Sequence, residues 1–470
     1  MNKIKAMAVL GLIFALTVTM VIIPGCKTTT AAAETTTAAA ETTTAAETTT
    51  AAAETTTAAA ETTAGLIEKK FEGTTITVQT FLNPDGETPR EKALKEIIDG
   101  FQNKTGITVK TSLFPWADID SQLILSVQAG NPPDVSWVRQ SAFNQDIKAD
   151  SLMPLDSYIA NDLDEATIKD FLAWDQVGVS NGKKYGLPYS FIVPGLFVRK
   201  DLLDKAGLKA PRTWQELIEV GKALKSPEIT PFMFYGSPAQ PNQIEFLQPM
   251  IEGRGGKLLD DAGMAAFDSQ TGIETYEFLK SLVYEYEISP KTVATITYDQ
   301  QNDAFAAGKV AMIIGGSHRY TTFIKTLGAE NVEILRIPGM EVGKSSPTSI
   351  ASWMLGIPKG SKNPDAAWEF IKYFNSVESL LIYSKMSGEV PVNKAVIEDS
   401  YFKSPEGEIT NWWMSYIDEN SSLATAPATY NELNEILAVA LQETLASPDS
   451  NVKEILESAA KKYNDIADKK

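Results

Sequence analysis

Apolar residues recur along the chain in two rhythms, one of strands and one of helices. Residues 74–82 (TTITVQTFL) form a β-branched run that reads as a strand, ended by the turn residues Asn83-Pro84-Asp85-Gly86. Across residues 88–102, Ala93, Leu94, Ile97, Ile98 and Phe101 fall at helical spacing, which predicts an amphipathic helix stopped by Gly106. Residues 107–113 predict a second strand, 119–129 a second helix, and 134–138 a third strand after Asn131-Pro132-Pro133. Strands and helices alternating at these lengths predict an α/β fold built on a parallel sheet with crossover helices. Ligands of such sheets sit outside the carboxyl ends of the strands. Those ends are Leu82-Asn83, Phe114-Pro115-Trp116 and Trp137-Val138-Arg139, and two of them carry a tryptophan.

The pattern then changes at residues 181–224. Asn181-Gly182 is a turn, and Tyr185 to Tyr189 is an extended run that Pro188 keeps out of a helix. Residues 190–198 are apolar on both faces, as a buried strand is, with Pro194-Gly195 interrupting them. A short helix over 200–206 stops at Gly207, and Thr213 with Glu216 forms a capping box for the next. A second run of elements follows: a strand over 231–235, helices over 244–252, 271–286 and 299–307, and a buried strand over 309–316 (KVAMIIGG). Ser317, His318 and Arg319 stand just past its glycines. A strand over 350–357 contains Trp353, a helix covers 365–375 behind Asn363-Pro364, and an amphipathic helix covers 452–467.

The first residues read differently. Lys3 and Lys5 precede an apolar run over 6–23 and then Pro24-Gly25-Cys26, the layout of a secretory signal peptide over 1–25. A retained membrane anchor is the competing reading, since the run has about the minimum length of a bilayer-spanning helix. Ile23-Pro24-Gly25-Cys26 resembles a bacterial lipobox, departing from it at Pro24, which makes Cys26 the expected lipid-bearing first residue. Residues 28–63 repeat TTTAAAE with no large apolar residue, so a coiled coil has no seam to bury, and a flexible tether over 26–64 is expected.

Composition narrows the partners. The formal net charge of -18 argues against nucleic acid and anionic membrane surfaces. Cys26 is the only cysteine, so the folded part has no disulfide to lean on. His318 is the only histidine, which is too few for the usual zinc sets or a Ser–His–Asp centre, and a lone histidine suits a hydrogen-bonding or pH-sensitive role better. No metal and no cofactor is expected. Gly253-Arg254-Gly255-Gly256 lacks the lysine and hydroxyl of a phosphate loop and reads as a turn. From residue 65 on, about 400 residues suffice for two lobes with separate cores.

Seven segments, in order, resemble the extracellular solute-binding proteins of ABC importers, the group that includes maltose-binding protein. They are 130–135 (GNPPDV), 181–189, 197–208 (FVRKDLLDKAGL), 211–217 (PRTWQEL), 304–316 (AFAAGKVAMIIGG), 361–373 (SKNPDAAWEFIKY) and 387–394 (SGEVPVNK). The resemblance implies a periplasmic-binding-protein-like fold of type II, with two α/β lobes closing by hinge motion on a ligand in the cleft between them. Carried onto this chain, one lobe holds 65–191 and 352–397, and the other 192–351 and 398–470. Crossings are expected near 192–195, 348–351 and 398–402, with Pro194-Gly195 supplying the first pivot. The implied role is a monomeric, lipid-anchored, extracytoplasmic receptor that hands its solute to an ABC permease.

A sugar presents apolar C–H faces and a rim of hydroxyls, so a sugar cleft needs flat aromatic surfaces with polar groups around them. Trp116 and Trp137 at strand ends, Trp353 beside a crossing and Tyr189 before another are the aromatic candidates, with core packing as the competing reading for each. Trp214 and Trp368 read as helix packing, and one of the adjacent Trp412 and Trp413 is expected to point out toward the cleft. The polar candidates are Asn83, Arg139, Tyr235, Gln243, Glu252, Ser317, His318, Arg319 and Glu389, with Arg139 and Arg319 also able to pair with carboxylates. Sugar capture without chemistry is the resulting expectation. A glycosidase needs only two carboxylates, which an acidic chain always offers, and a peptide or metal receptor would share the lobed fold.

Overall fold

The computed structural model describes residues 71–240 and 242–469. All lie in one of the two units into which the chain divides, Ala60–Lys470. The leader, Cys26 and the threonine-rich tether, with the lipid and the cleavage expected there, lie outside the described residues.

Two sheets carry the fold. The first joins β1 (Thr75–Thr80), β2 (Thr108–Leu113), β3 (Val135–Arg139), β4 (Gly186–Ile192), β9 (Thr348–Gly356) and β10 (Ser421–Leu423). β1 lies parallel to both β2 and β3, as strand–helix–strand alternation requires, while β9 runs antiparallel to β3 and β4. The second sheet has the order β8 (Val332–Leu335), β5 (Pro194–Arg199), β7 (Val310–Gly316) and β6 (Thr230–Met233). Helices cover both. The one over Pro89–Thr105 starts at a Thr88–Glu91 capping box, ends at Gly106 in the left-handed conformation, and buries the five apolar residues its spacing marks. Ile76 and Val78 of β1 are fully buried beneath such helices, each contributing about 1.5–3 kcal/mol. The capping box Thr213–Glu216 and the helix Val452–Ala467 form as the sequence predicts.

Two expectations need correction. The apolar residues form one continuous buried cluster rather than two separate cores, and Val193, Leu196 and Ile350, where the chain passes between the sheets, belong to it. Pro194-Gly195 is also no break: both residues are paired in β5, opposite Gly316 and Gly315. The chain leaves one sheet for the other at the single residue Val193. Ser317 holds that residue from both sides, its N–H donating to the Val193 carbonyl (2.9 Å) and its Oγ accepting from the Val193 N–H (3.2 Å). Gly195 is glycine for a different reason: a Cβ there would stand 2.8 Å from the Trp413 ring.

Candidate functional site

Residues at or just past the carboxyl ends of β1, β3, β4, β6 and β7 converge on a cavity of about 130 Å³, roughly ten times the space one water needs. On the side of the first sheet, Phe81 and Trp353 stand with ring centroids 4.4 Å apart. Arg90, in the first turn of its helix, lies over the Phe81 ring and ion-pairs with the fully buried Glu389 (Nε–Oε1 2.5 Å), which also accepts from the Tyr383 hydroxyl (3.2 Å). Arg139, the last residue of β3, is held by Asp120 at 2.5 Å and sits between the Trp116 and Tyr430 rings. Burial works against both arginine charges, but the carboxylates of Glu389 and Asp120 outweigh it and raise both pKa values above the ordinary.

The side of the second sheet contributes Tyr235 and Tyr298, set edge to face at 5.3 Å. Burial, with the charge of Glu245 adding to it, raises the Tyr235 pKa well above its usual value. Glu245 enters from the first turn of the helix Gln243–Glu252 and is only 8% exposed; the Tyr430 hydroxyl donates to its Oε1 at 2.8 Å. Arg319 ion-pairs with Asp299, which also accepts from Gln240 Nε2 (2.8 Å) and, across the cavity, from the Trp116 indole N–H (3.1 Å). His318 folds back onto the end of β7, where a Cβ on Gly316 would stand 2.7 Å from its ring. Burial, then the charges of Arg90 and Arg319, hold its pKa well below the usual imidazole value, so the ring is neutral near pH 7.

Four buried polar atoms on these cavity-lining side chains have no partner among the described residues: Arg90 Nη2, Glu245 Oε2, His318 Nδ1 and Arg319 Nε. A buried polar group left open costs about 1–3 kcal/mol, so this cluster marks a place built for something else to fill. The lining offers donors, acceptors and aromatic faces, but only one carboxylate, Glu245.

Residues 84–379 match the family model described as bacterial extracellular solute-binding protein. The chain belongs to that family. Its members are extracellular proteins that bind solutes. Among curated relatives, the diacetylchitobiose binding protein DasA of Streptomyces coelicolor is 26% identical over 339 residues, covering 69% of this chain and 75% of its own. The arabinooligosaccharide-binding protein of Halalkalibacterium halodurans is 23% identical over 370 residues, covering 75% and 81%. Among solved structures, an ABC transporter solute binding protein from Thermotoga lettingae, bound with α-D-tagatose, superposes with a TM-score of 0.73 at 22% identity, covering 84% of this chain and all of that one. The fold is therefore the two-lobed periplasmic-binding-protein fold of type II.

Within this solute-binding fold the expected site residues divide sharply. Trp116, Arg139, Tyr235, His318, Arg319 and Trp353 line the cavity together. The other seven do not. Trp137 is fully buried, donating its indole N–H to the Tyr189 hydroxyl (2.8 Å) and meeting Phe374 edge to face; it stands mid-strand under the helix Pro364–Phe374, two residues short of the cavity. Tyr189 packs in the same place against Phe374 and Tyr383, because only the end of β4, Ile192, reaches the cavity. Gln243 is buried with Nε2 donating to the Tyr235 carbonyl (3.4 Å). Glu252 lies seven residues beyond Glu245, about 10 Å along the helix, and accepts from Gln248 and Ser422. Ser317 clasps Val193, Glu389 reaches the cavity only through Arg90, and Asn83 shapes the turn after β1, its Oδ1 accepting from the Asp85 N–H. Neither Trp412 nor Trp413 lines the cavity: Trp413 is fully buried under Gly195 and Phe197, and Trp412 leans on it.

Phe81, Arg90, Asn242, Glu245, Tyr298 and Ser352 line the cavity without having been expected there. Arg90 and Glu245 share a signal: each sits in the first turn of a helix that follows a strand end, and such a turn faces the same space as the strand end itself.

Proposed function

We propose that this protein is a lipid-anchored, extracytoplasmic receptor that captures a sugar or oligosaccharide and delivers it to an ABC permease without transforming it. The observation carrying this is the cavity itself. Trp353, Phe81, Trp116, Tyr235 and Tyr298 surround it with aromatic faces, and four buried polar atoms stand open beside them. Apolar C–H faces and a rim of hydroxyls answer both features at once. Relatives that bind a chitobiose derivative and arabino-oligosaccharides, and a structural neighbour holding tagatose, support the same class.

In this proposal residues 71–191 and 352–397 form one lobe, and 192–351 and 398–469 the other, with the lobes pivoting at Val193 and at the start of β9. Bonds between these two sets of segments support a closed arrangement: Trp116 donates to Asp299, Thr321 Oγ1 to the Ser387 carbonyl (3.1 Å), and Asn144 Nδ2 to the Ala426 carbonyl (2.6 Å). The lipid is carried by Cys26, and the tether over 26–64 lets the monomer reach its permease. Hydrolysis is the weaker reading, since a glycosidase needs two carboxylates about the scissile bond and Glu245 alone lines the cavity. The test is a panel of sugars screened by melting temperature and tryptophan fluorescence, beside chromogenic glycosides. One sugar should raise the melt and change the fluorescence. Turnover of a glycoside at enzymatic rates, or shifts with peptides only, would overturn the proposal.

A further inference from the structure

Three arginines on the cavity lining suggest at first an acidic ligand, but their pairing points the other way. Arg90 is met by Glu389, Arg139 by Asp120 and Arg319 by Asp299, so each positive charge already has a carboxylate of the protein. Glu245 has none: no ion pair among the described residues includes it, and its only side-chain partner is the Tyr430 hydroxyl on Oε1. Arg139 feels the charge of Glu245, yet its guanidinium is committed to Asp120. His318 is neutral there and cannot balance it. The charge left over at the cavity is therefore negative, and it sits on a side chain 92% removed from solvent whose Oε2 is open. Its position is fixed, because Tyr430 holds one oxygen and Ser349 Oγ donates to the Glu245 backbone carbonyl (3.0 Å).

We infer that Glu245 is the residue that sets ligand charge: the site takes a saccharide that donates a hydroxyl or ammonium hydrogen to Oε2, and it rejects saccharides bearing a carboxylate or phosphate. The inference rests on the sugar-binding reading above. A hydroxyl or ammonium gives the buried oxygen its missing donor. An acidic sugar brings a second negative charge into a poorly hydrated space, where like charges a few ångströms apart repel strongly. The open Arg90 Nη2 and Arg319 Nε then serve as donors to neutral ring or hydroxyl oxygens.

The experiment titrates the purified chain, by calorimetry or tryptophan fluorescence, with glucose, galactose, xylose, arabinose, tagatose, maltose and diacetylchitobiose, and with glucosamine, galactosamine, glucuronate and galacturonate. The same set is run on Glu245→Gln, which keeps the side chain's shape. A neutral or amino sugar should bind best, with its uronate about 100-fold weaker or undetectable. Glu245→Gln should weaken the preferred sugar roughly tenfold and bring the uronate to within about tenfold of it. A uronate that binds wild type as tightly as its neutral counterpart would overturn the inference while leaving the sugar receptor standing. So would discrimination unchanged in Glu245→Gln. If no saccharide of any charge binds the folded protein, the sugar reading itself falls, and this inference with it.

Discussion

The two walls of the cavity treat charge in opposite ways. On the first wall Arg90 and Arg139 are each matched by a carboxylate that is at most 1% exposed, and the open atoms of the Arg90–Glu389 pair are Arg90 Nη2, at the cavity, and Glu389 Oε2 behind it. On the second, the Arg319–Asp299 pair is about a quarter to a third exposed, Glu245 lacks a cation, and the open atoms of His318 and Arg319 add to the deficit. The first wall is thus part of its lobe's core that happens to face the cavity. The second is finished only when something lies against it. Asp299 makes the asymmetry mechanical, since it accepts from Trp116 of the other wall while holding Arg319 on its own. In the hinge closure proposed above, that bond would tie the two walls together.

The largest effects should come from behind the first wall and should appear in folding. Glu389→Ala leaves the Arg90 charge buried beside Phe81 without its counterion, which should cost about 3–5 kcal/mol of stability. Trp137→Ala, which removes a fully buried ring packed on Tyr189 and Phe374, should cost a similar 3–5 kcal/mol. Urea unfolding measures both. Sugar affinity of the molecules that remain folded should be unchanged in Trp137→Ala; a selective loss of affinity there would put that ring back in the site.

Trp353→Ala comes next, with its effect in binding. The ring is 6% exposed and forms the cavity face with Phe81, so truncation should cost about 2 kcal/mol of affinity, near 30-fold. Titration with the preferred sugar reads it. Equal losses in Trp353→Ala and Trp214→Ala would mean that the effect is general softening, because Trp214 packs on Phe278 far from the cavity lining.

The contrast between Trp137 and Trp353 also shows what a sequence can and cannot carry. Alternating strands and helices, capping boxes and glycine stops sit in local spacing, so the α/β layout and the convergence of strand ends on one cavity were legible. Which residue of a strand end reaches the cavity was not. Arg139 does and Trp137 does not, although they stand two positions apart on one face, because the helix Pro364–Phe374, over 200 residues later in the chain, covers the middle of β3. Gly195 misled for the same reason: its cause is Trp413, a contact no local pattern contains. Glu245 does not stand out by polarity, because Gln243 and Glu252 at the ends of the same helix are equally polar and only packing decides which of the three faces the cavity.

Asp299→Asn tests the link between walls at a smaller scale. The substitution keeps the shape but weakens three acceptances, from Trp116, Gln240 and Arg319, at a carboxylate that solvent partly screens. Folding stability should change by no more than about 1 kcal/mol. Affinity should fall by roughly 1 kcal/mol, about fivefold, through a less favoured closed form. Small-angle scattering without ligand should then report a more open molecule; an unchanged profile with unchanged affinity would deny the pair any part in closure.

The smallest effect is the pH response of the second wall. His318 sits over Tyr298 with Arg90 and Arg319 as its charged neighbours, and burial with those charges disfavours its protonation in the folded state. Unfolded, the ring titrates near pH 6.5. Below that pH the unfolded chain takes up a proton that the folded chain refuses, so the stabilisation present above the unfolded value is lost as pH falls toward the depressed folded one. His318→Asn removes this contribution while keeping a polar side chain. The melting temperature of wild type should therefore fall more steeply than that of the variant between pH 7 and 5, by at most one proton's worth of slope. Carboxylates elsewhere titrate alike in both proteins and cancel in the difference. Parallel melting curves for the two proteins between pH 7 and 5 would deny His318 this part in the pH response.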